Sequence, residues 1–351
     1  MAVIGASILL AGAGLPNTAL TPLVPSGDFM KLRPSALLIL CSVALLPLSA
    51  QAQSAKPPVR LVVGYPAGGS SDALARMVAE KLKDELGAAI IVDNRPGAGG
   101  QIAADHVRAS AADGNTILVA NSHMMVMLPL TTKAVKYNPA KDFAPVVRLT
   151  SFYEAVTVAS SLPATSVAQW LELARKDNQV ANFGVPAPGS VSHFLGYRLG
   201  QDNKVNLQAI PYKGAAPAVQ DLLGGQLKAG IVPILDVAPH HQAGKVKVLA
   251  VNGSQRAQLL PSVPTLKELG IAGFDTLEWT ALLAPAGTPK AVVDQLNAAT
   301  RKVLASPDIQ ERLLKLGMES NPSTPEELGQ LMAGDLASWA PVVKASGFTA
   351  D

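Results

Sequence analysis

One cysteine, Cys41, is all the chain contains, and it sits in an apolar run near the N-terminus. The rest of the chain therefore lacks both a disulfide framework and thiolate ligands for zinc. Aromatic residues make up 4% and charged residues 16%, the formal net charge is +3, and like charges form no runs. Nothing in that balance points to nucleic acid or an anionic membrane surface as a partner. Signatures of catalysis and of cofactors are missing too. The chain has no G-x-S-x-G elbow, no H-E-x-x-H, no glycine loop ending in Gly-Lys-Ser/Thr and no G-x-G-x-x-G fingerprint. Its five histidines stand at no metal-like spacing, and the adjacent His240 and His241 cannot both reach one ion from a helix face. No metal, cofactor or enzymatic activity is expected.

What is present is an alanine-, valine- and leucine-rich chain of 351 residues, 48% hydrophobic, long enough for two domains with their own cores. Its first part reads as a leader. Met30-Lys31-Leu32-Arg33 is a basic start, Leu37 to Leu46 an apolar core, and Ala50-Gln51-Ala52 a small-x-small cleavage site before Gln53. A signal peptide over 30–52 makes Met30 the expected initiator and 1–29 an upstream gene-model extension. The apolar runs Met1 to Ala11 and Leu37 to Leu46 are both too short to span a bilayer as helices. Cleavage near Ala52 removes Cys41 with Lys31, Arg33 and Asp28, and the net charge falls from +3 to +2.

The mature chain opens on strand, glycine loop and helix. Val59 to Val63 is apolar except for Arg60, and Leu74, Met77, Val78, Leu82 and Leu86 share one face of a helix that stops at Gly87. Between them Tyr65-Pro66-Ala67-Gly68-Gly69-Ser70-Ser71-Asp72 exposes backbone amides at a helix start, a corner suited to a carboxylate. The competing structural role is a plain turn in which Ser70 or Ser71 caps the helix and Asp72 complements its dipole. Asp72 would repel a bound carboxylate, so it is expected to cap locally or to meet an amine or hydroxyl. A strand at Ala88 to Val92, a helix from about Gln101 to Ser110 and a strand at Thr116 to Ala120 continue the alternation, predicting a parallel sheet whose loops at Gly68, Gly97 and Ser122 face one crevice.

The alternation restarts at Val156. Strands are expected at Val180 to Val185, Leu207 to Ile210, Ile231 to Leu235 and Val246 to Val251, forming a second parallel sheet. Gly189-Ser190-Val191-Ser192-His193 repeats the loop-then-helix pattern. Ser166 with Gln169 and Thr265 with Glu268 read as capping boxes, Leu277 to Ala284 as a long strand, and Thr288-Pro289, Ser306-Pro307 and Thr324-Pro325 as three helix starts. The polar residues at strand ends are Tyr65, Ser70, Asp72, Ser122, His123, Ser190, His193, Tyr212 and Asp236. Each has a bland role as cap, turn or half-buried polar group; jointly they suit a cleft between two α/β lobes.

Pro66-Ala67-Gly68-Gly69 with Asp72 and Arg76, Asn94-Arg95-Pro96-Gly97-Ala98-Gly99-Gly100, Tyr137-Asn138-Pro139, Pro211-Tyr212-Lys213-Gly214, Gly224-Gly225-Gln226, Pro261-Ser262-Val263-Pro264-Thr265 and Ala284-Pro285-Ala286-Gly287-Thr288-Pro289 together resemble the Bug family over essentially all of the mature chain. Its members are the solute receptors of tripartite tricarboxylate transporters. The resemblance implies a periplasmic protein of the type II periplasmic-binding-protein-like fold, two α/β domains joined by crossing strands with a ligand cleft between them. Domain one would take 57–155 and 275–351, and domain two 156–274. The ligand would be a small organic acid, its carboxylate held by Tyr65, Pro66, Ala67, Gly68, Gly69, Ser70 and Asp72 on one side and by Gly189, Ser190 and His193 on the other. The partners implied are a large and a small integral membrane subunit, which some members lack, and the protein would act as a monomer. A solute sensor docking on a sensor kinase is the alternative within binding proteins; a periplasmic hydrolase is the alternative outside them. The chain departs from the family at Met124-Met125-Val126-Met127, where Ala-Ile-Asn-Pro is usual, and has Gln101 and Phe194 where Asn and Leu are usual. Methionines lining the cleft would suit a bulkier solute; in the core they would say nothing about it.

Overall fold

Residues 56–350 are described by a computed structural model; the expected leader lies outside them. Five-residue apolar β1 (Val59–Val63) is buried except at Arg60 and pairs in parallel with both β2 (Ile90–Asn94) and β3 (Thr116–Asn121). Their crossovers are the helices Ser70–Leu86 and Gln101–Arg108, the first ending at Gly87 in the left-handed conformation that its lack of a Cβ allows. β10 (Glu278–Pro285) then runs antiparallel between β3 and β4 (Phe143–Phe152), with β11 (Glu319–Ser320) at the edge, giving the order β11-β4-β10-β3-β1-β2. The ten-residue β4 is not signalled at the sequence level because Pro145 and Arg148 break its alternation.

The second sheet has the order β7-β6-β8-β5-β9, formed by β5 (Glu154–Ala159), β6 (Asn182–Val185), β7 (Gln208–Pro211), β8 (Ala229–Pro233) and β9 (Val246–Val251). It is mixed, which corrects the parallel expectation. β6 pairs in parallel with β7 and β8, but β5 lies antiparallel to β8 and β9. The reason is connectivity: β5 enters straight from β4 with only Tyr153 between them, so its direction is set by the first sheet. The chain returns through 252–277 to β10. Strand β8 also ends two residues earlier than expected, so Leu235 and Asp236 fall in the first turn of the helix Ile234–Gln242.

Helix starts follow the sequence unevenly. Thr324 forms a full capping box with Glu327 ahead of the helix Pro325–Ser346. Ser306 precedes Pro307 without a side-chain cap, and Thr288 instead donates to the Pro285 carbonyl at 2.8 Å while the helix begins at Lys290. Ser166 caps through the Gln169 amide, but the Gln169 side chain reaches back to Thr165. Thr265 and Glu268 make both bonds of a box on a turn that never becomes a helix. One buried cluster includes Val62 and Leu118 of the first sheet, Val156 and Phe183 of the second, and Leu328, Trp339 and Val343 of the C-terminal helix. The outer faces of the two sheets carry separate clusters.

Candidate functional site

Tyr65 gathers the three strand-end loops of the first sheet. The Asn121 carboxamide accepts from the Met124 amide at 3.0 Å, which turns its NH2 toward Tyr65, and that group donates to the Tyr65 hydroxyl at 2.9 Å. The hydroxyl in turn donates to the Gly99 carbonyl at 3.3 Å. Burial pushes the phenol up to about 12, so it stays a donor. Close approach explains the glycines beneath: a Cβ on Gly64 would stand 2.7 Å from the Gly100 Cα, and one on Gly100 would meet Met124 at 2.7 Å. Met124 and Met125 are fully buried, so they are core and carry no statement about the solute.

At the start of the helix Ser70–Leu86 the residue before the first turn is Gly69, with no side-chain cap, so neither Ser70 nor Ser71 plays the capping role considered from the sequence. Asp72 does the local work instead. Its Oδ2 accepts from the Gly68 amide at 2.8 Å and from Arg76 Nε at 2.9 Å, and the Arg76 guanidinium holds the carboxyl down at about 2. Gly68, at φ 85°, supplies the left-handed turn this requires. Asp72 is buried and its charge is paired, so it does not oppose an anion at the helix start. The first amides of that helix have no intrahelical acceptor, and the exposed Ser70 and half-buried Ser71 carry them.

Two adjoining cavities share Ser70, Ser71 and Asn121. One, of about 380 Å³, is completed by Tyr65, Pro66 and Gly69. The other, of about 260 Å³, reaches across to Pro233, Leu235 and Asp236 after β8, with Phe152, Thr280 and Met318 closing it. This second cavity lies between the sheets. Asp236 is its one ionisable wall residue, and burial pushes that carboxyl up to about 6. Ala67 and Gly68 are exposed beside the first cavity.

Beneath the crossing strands lies a pair of acids. Ser122, buried, donates to Glu278 Oε2 at 3.0 Å, and Ser192, buried, donates to Glu154 Oε2 at 2.7 Å. The carboxyls of Glu154 and Glu278 lie close enough to act on each other's charge. Burial and mutual repulsion raise Glu154 well above the carboxylate range, and Asp236 adds to the repulsion. Glu154 Oε1 is buried without a hydrogen-bond partner. Sequence reasoning missed both glutamates; the only signal was a glutamate at the start of each apolar strand.

The remaining expected residues are held locally. Ser190 caps the helix Val191–Asp202 through the His193 amide and donates to the Ala187 carbonyl at 2.8 Å. His193 Nδ1 accepts from the Gly189 amide at 3.0 Å, and its ring packs on Phe194 and Phe348. Phe348 also fills the space a Cβ on Gly189 would occupy. Tyr212, beside the edge strand β7, donates to Asp221 Oδ2 at 2.6 Å. His123 lies in a single π-helical turn, His123–Met127, and burial pushes it down to about 4. The structure thus joins Tyr65, Pro66, Gly69 and Ser70 in one cavity and Ser70 with Asp236 in the next. Among the described residues no group of three or more His, Cys, Asp or Glu could hold a metal, and no helix is long and apolar enough to cross a membrane.

The sequence model described as the tripartite tricarboxylate transporter family receptor, TctC, matches residues 74–348. Protein BugT of Bordetella pertussis (strain Tohama I) is 32% identical over 302 residues, covering 86% of this chain and 92% of BugT. Rpa4515 of R. palustris, solved with adipate, is similar with a TM-score of 0.72 at 33% identity, covering 83% of this chain and 98% of that one. MatC (Rpa3494) from Rhodopseudomonas palustris, solved with bound malate, gives a TM-score of 0.68 at 32% identity, covering 82% and 98%.

Proposed function

Since this chain belongs to the receptor family of the tripartite tricarboxylate transporters, we propose that it is a solute-binding protein that captures a small carboxylate-bearing solute between two lobes and presents it to a membrane partner. Its fold is that of the TctC and BugD solute-binding proteins. One observation carries the reading: a cavity between the sheets is walled on one side by the uncapped helix start at Ser70 and Ser71 and on the other by the helix start at Leu235 and Asp236. Uncapped amides and the positive helix end suit an anion, and adipate and malate, with which two similar proteins were solved, are anions of that kind.

In this reading the carboxylate sits on the Ser70 and Ser71 amides, while Gly68 and Asp72 shape the loop. Domain one is 57–155 with 275–351 and domain two is 156–274. The chain acts as a monomer in the periplasm after cleavage near Ala52, delivering to a large and a small integral subunit. It performs no chemistry on the solute. A thermal-shift screen against small carboxylates tests this, because a ligand that binds only the folded state raises Tm. Carboxylates should raise Tm, and Ser71→Phe, which fills the cavity from a half-buried position, should erase the rise while leaving the ligand-free Tm in place. A rise that persists in Ser71→Phe would exclude the site.

A further inference from the structure

We propose that the far end of the cavity, at Asp236, selects a solute that carries an ammonium group opposite its carboxylate. This rests on the reading that Ser70 and Ser71 hold the carboxylate, and it adds what the other end must be. Asp236 is the only ionisable residue in the wall, and no lysine, arginine or histidine lines the cavity to receive a second carboxylate. Among the described residues neither a hydrogen bond nor an ion pair engages the Asp236 carboxylate, in contrast to Asp72, which is committed to Gly68 and Arg76. The buried Glu154 carboxyl is near enough for its charge to act on Asp236. The opposite wall is a helix start with its positive end toward the cavity. Both walls are helix starts, but only the one at Ile234 puts a carboxylate, Asp236, in the cavity wall, where it offsets its own positive end. The cavity is therefore positive at Ser70 and negative at Asp236, and between these ends Phe152, Leu235 and Met318 offer apolar surface. A dicarboxylate would place a second anion against Asp236 in a partly dehydrated site, where like charges repel strongly. An ω-amino carboxylate meets both ends and lays its methylenes along the apolar wall.

Calorimetric titration of the secreted protein with matched pairs tests this: γ-aminobutyrate against succinate, δ-aminovalerate against glutarate, ε-aminocaproate against adipate. Expected is at least one amino carboxylate binding roughly tenfold or more tighter than the dicarboxylate of equal length, the worth of one charge-assisted bond. Asp236→Asn should remove most of that preference and Asp236→Glu should retain it, with all three proteins folded by circular dichroism. A preference that survives in Asp236→Asn overturns the role of Asp236. Dicarboxylates binding as well as or better than their amino partners overturn the ammonium assignment and leave carboxylate capture standing. Binding by neither series overturns both readings.

Discussion

Asp72 and Asp236 each occupy the first turn of a helix, and their surroundings send their carboxyls in opposite directions. Arg76 and the Gly68 amide favour the charged form of Asp72, holding it near 2. Its folded pKa is depressed, so its contribution to stability is present above the ordinary carboxylate range and is lost as pH falls toward 2. Asp72→Asn should lower Tm at neutral pH by roughly 2–4 °C, as expected for one lost charge-assisted bond in a chain of this size. It should also flatten the acid limb of a melting-temperature profile. Burial without a partner raises Asp236 to about 6, so the ligand-free protein loses stability as pH rises from about 4 through 6. Asp236→Asn should therefore raise the ligand-free Tm at pH above 7 while weakening amine-bearing ligands. In the wild type, affinity for such a ligand should fall roughly tenfold from pH 8 to pH 5, because only the ionised carboxylate pairs with the ammonium. Of the other charged groups on elements packed against that helix, Lys247 is engaged with the Leu162 carbonyl and Asp221 with Tyr212. Glu154 is the one that senses Asp236, so the same profile in Glu154→Gln separates the two titrations.

At the scale of elements, helix starts that look alike in sequence are capped differently in the structure. The Thr324 hydroxyl oxygen accepts from the Glu327 amide at 3.1 Å, and the Thr324 amide donates to the Glu327 carboxylate at 2.8 Å. Ser306 stands before a proline in the same way but caps nothing. Thr324→Ala should cost about 1 kcal/mol in chemical denaturation, whereas Ser306→Ala should stay within about 0.5 kcal/mol. Equal losses would mean that the proline, not the cap, sets these starts. The helix Ser70–Leu86 is one of several without a side-chain cap, and its bare start has a use. It forgoes a cap, leaving its first amides beside a cavity.

Across the whole molecule, the two sheets meet at points that capture of a solute between them would use. Gly317, at φ 64°, lets the turn before β11 approach Leu235, whose Cβ would lie 2.2 Å from a Cβ placed there. Gly317→Ala should hold the sheets apart at that contact, besides adding about 1–2 kcal/mol of backbone strain. Weaker solute binding and a smaller ligand-induced contraction in solution scattering are the expected readouts; unchanged affinity would show that this contact is not part of the bound form. The Glu154 and Glu278 pair joins β5 to β10. Both carboxyls are raised by burial, so the folded state holds more protons, and their contribution is present at acid pH and lost as pH rises through the raised values. Glu154→Gln, which supplies a donor without titrating, should flatten the alkaline loss of stability.

The sequence alone determined the elements that depend on local chemistry. β1 and its glycine loop, the helix ending at Gly87, the cap at Thr324 and the cap at Ser190 are all legible because each uses neighbours within a few residues. The first sheet's parallel core was legible for the same reason, since alternating strands and helices leave one handed solution. What joins distant parts was decided only by tertiary structure. β5 runs antiparallel because β4 delivers it, Met124 is core because Gly100 lets it pack, and Phe348 is brought to His193 by the C-terminal helix. Asp72 and Asp236 look alike as residues in a string; one found an arginine four residues on, and the other faces a cavity whose opposite wall comes from more than a hundred residues away. Pairing, burial and the field inside a cleft are properties of that assembly, and no local pattern encodes them.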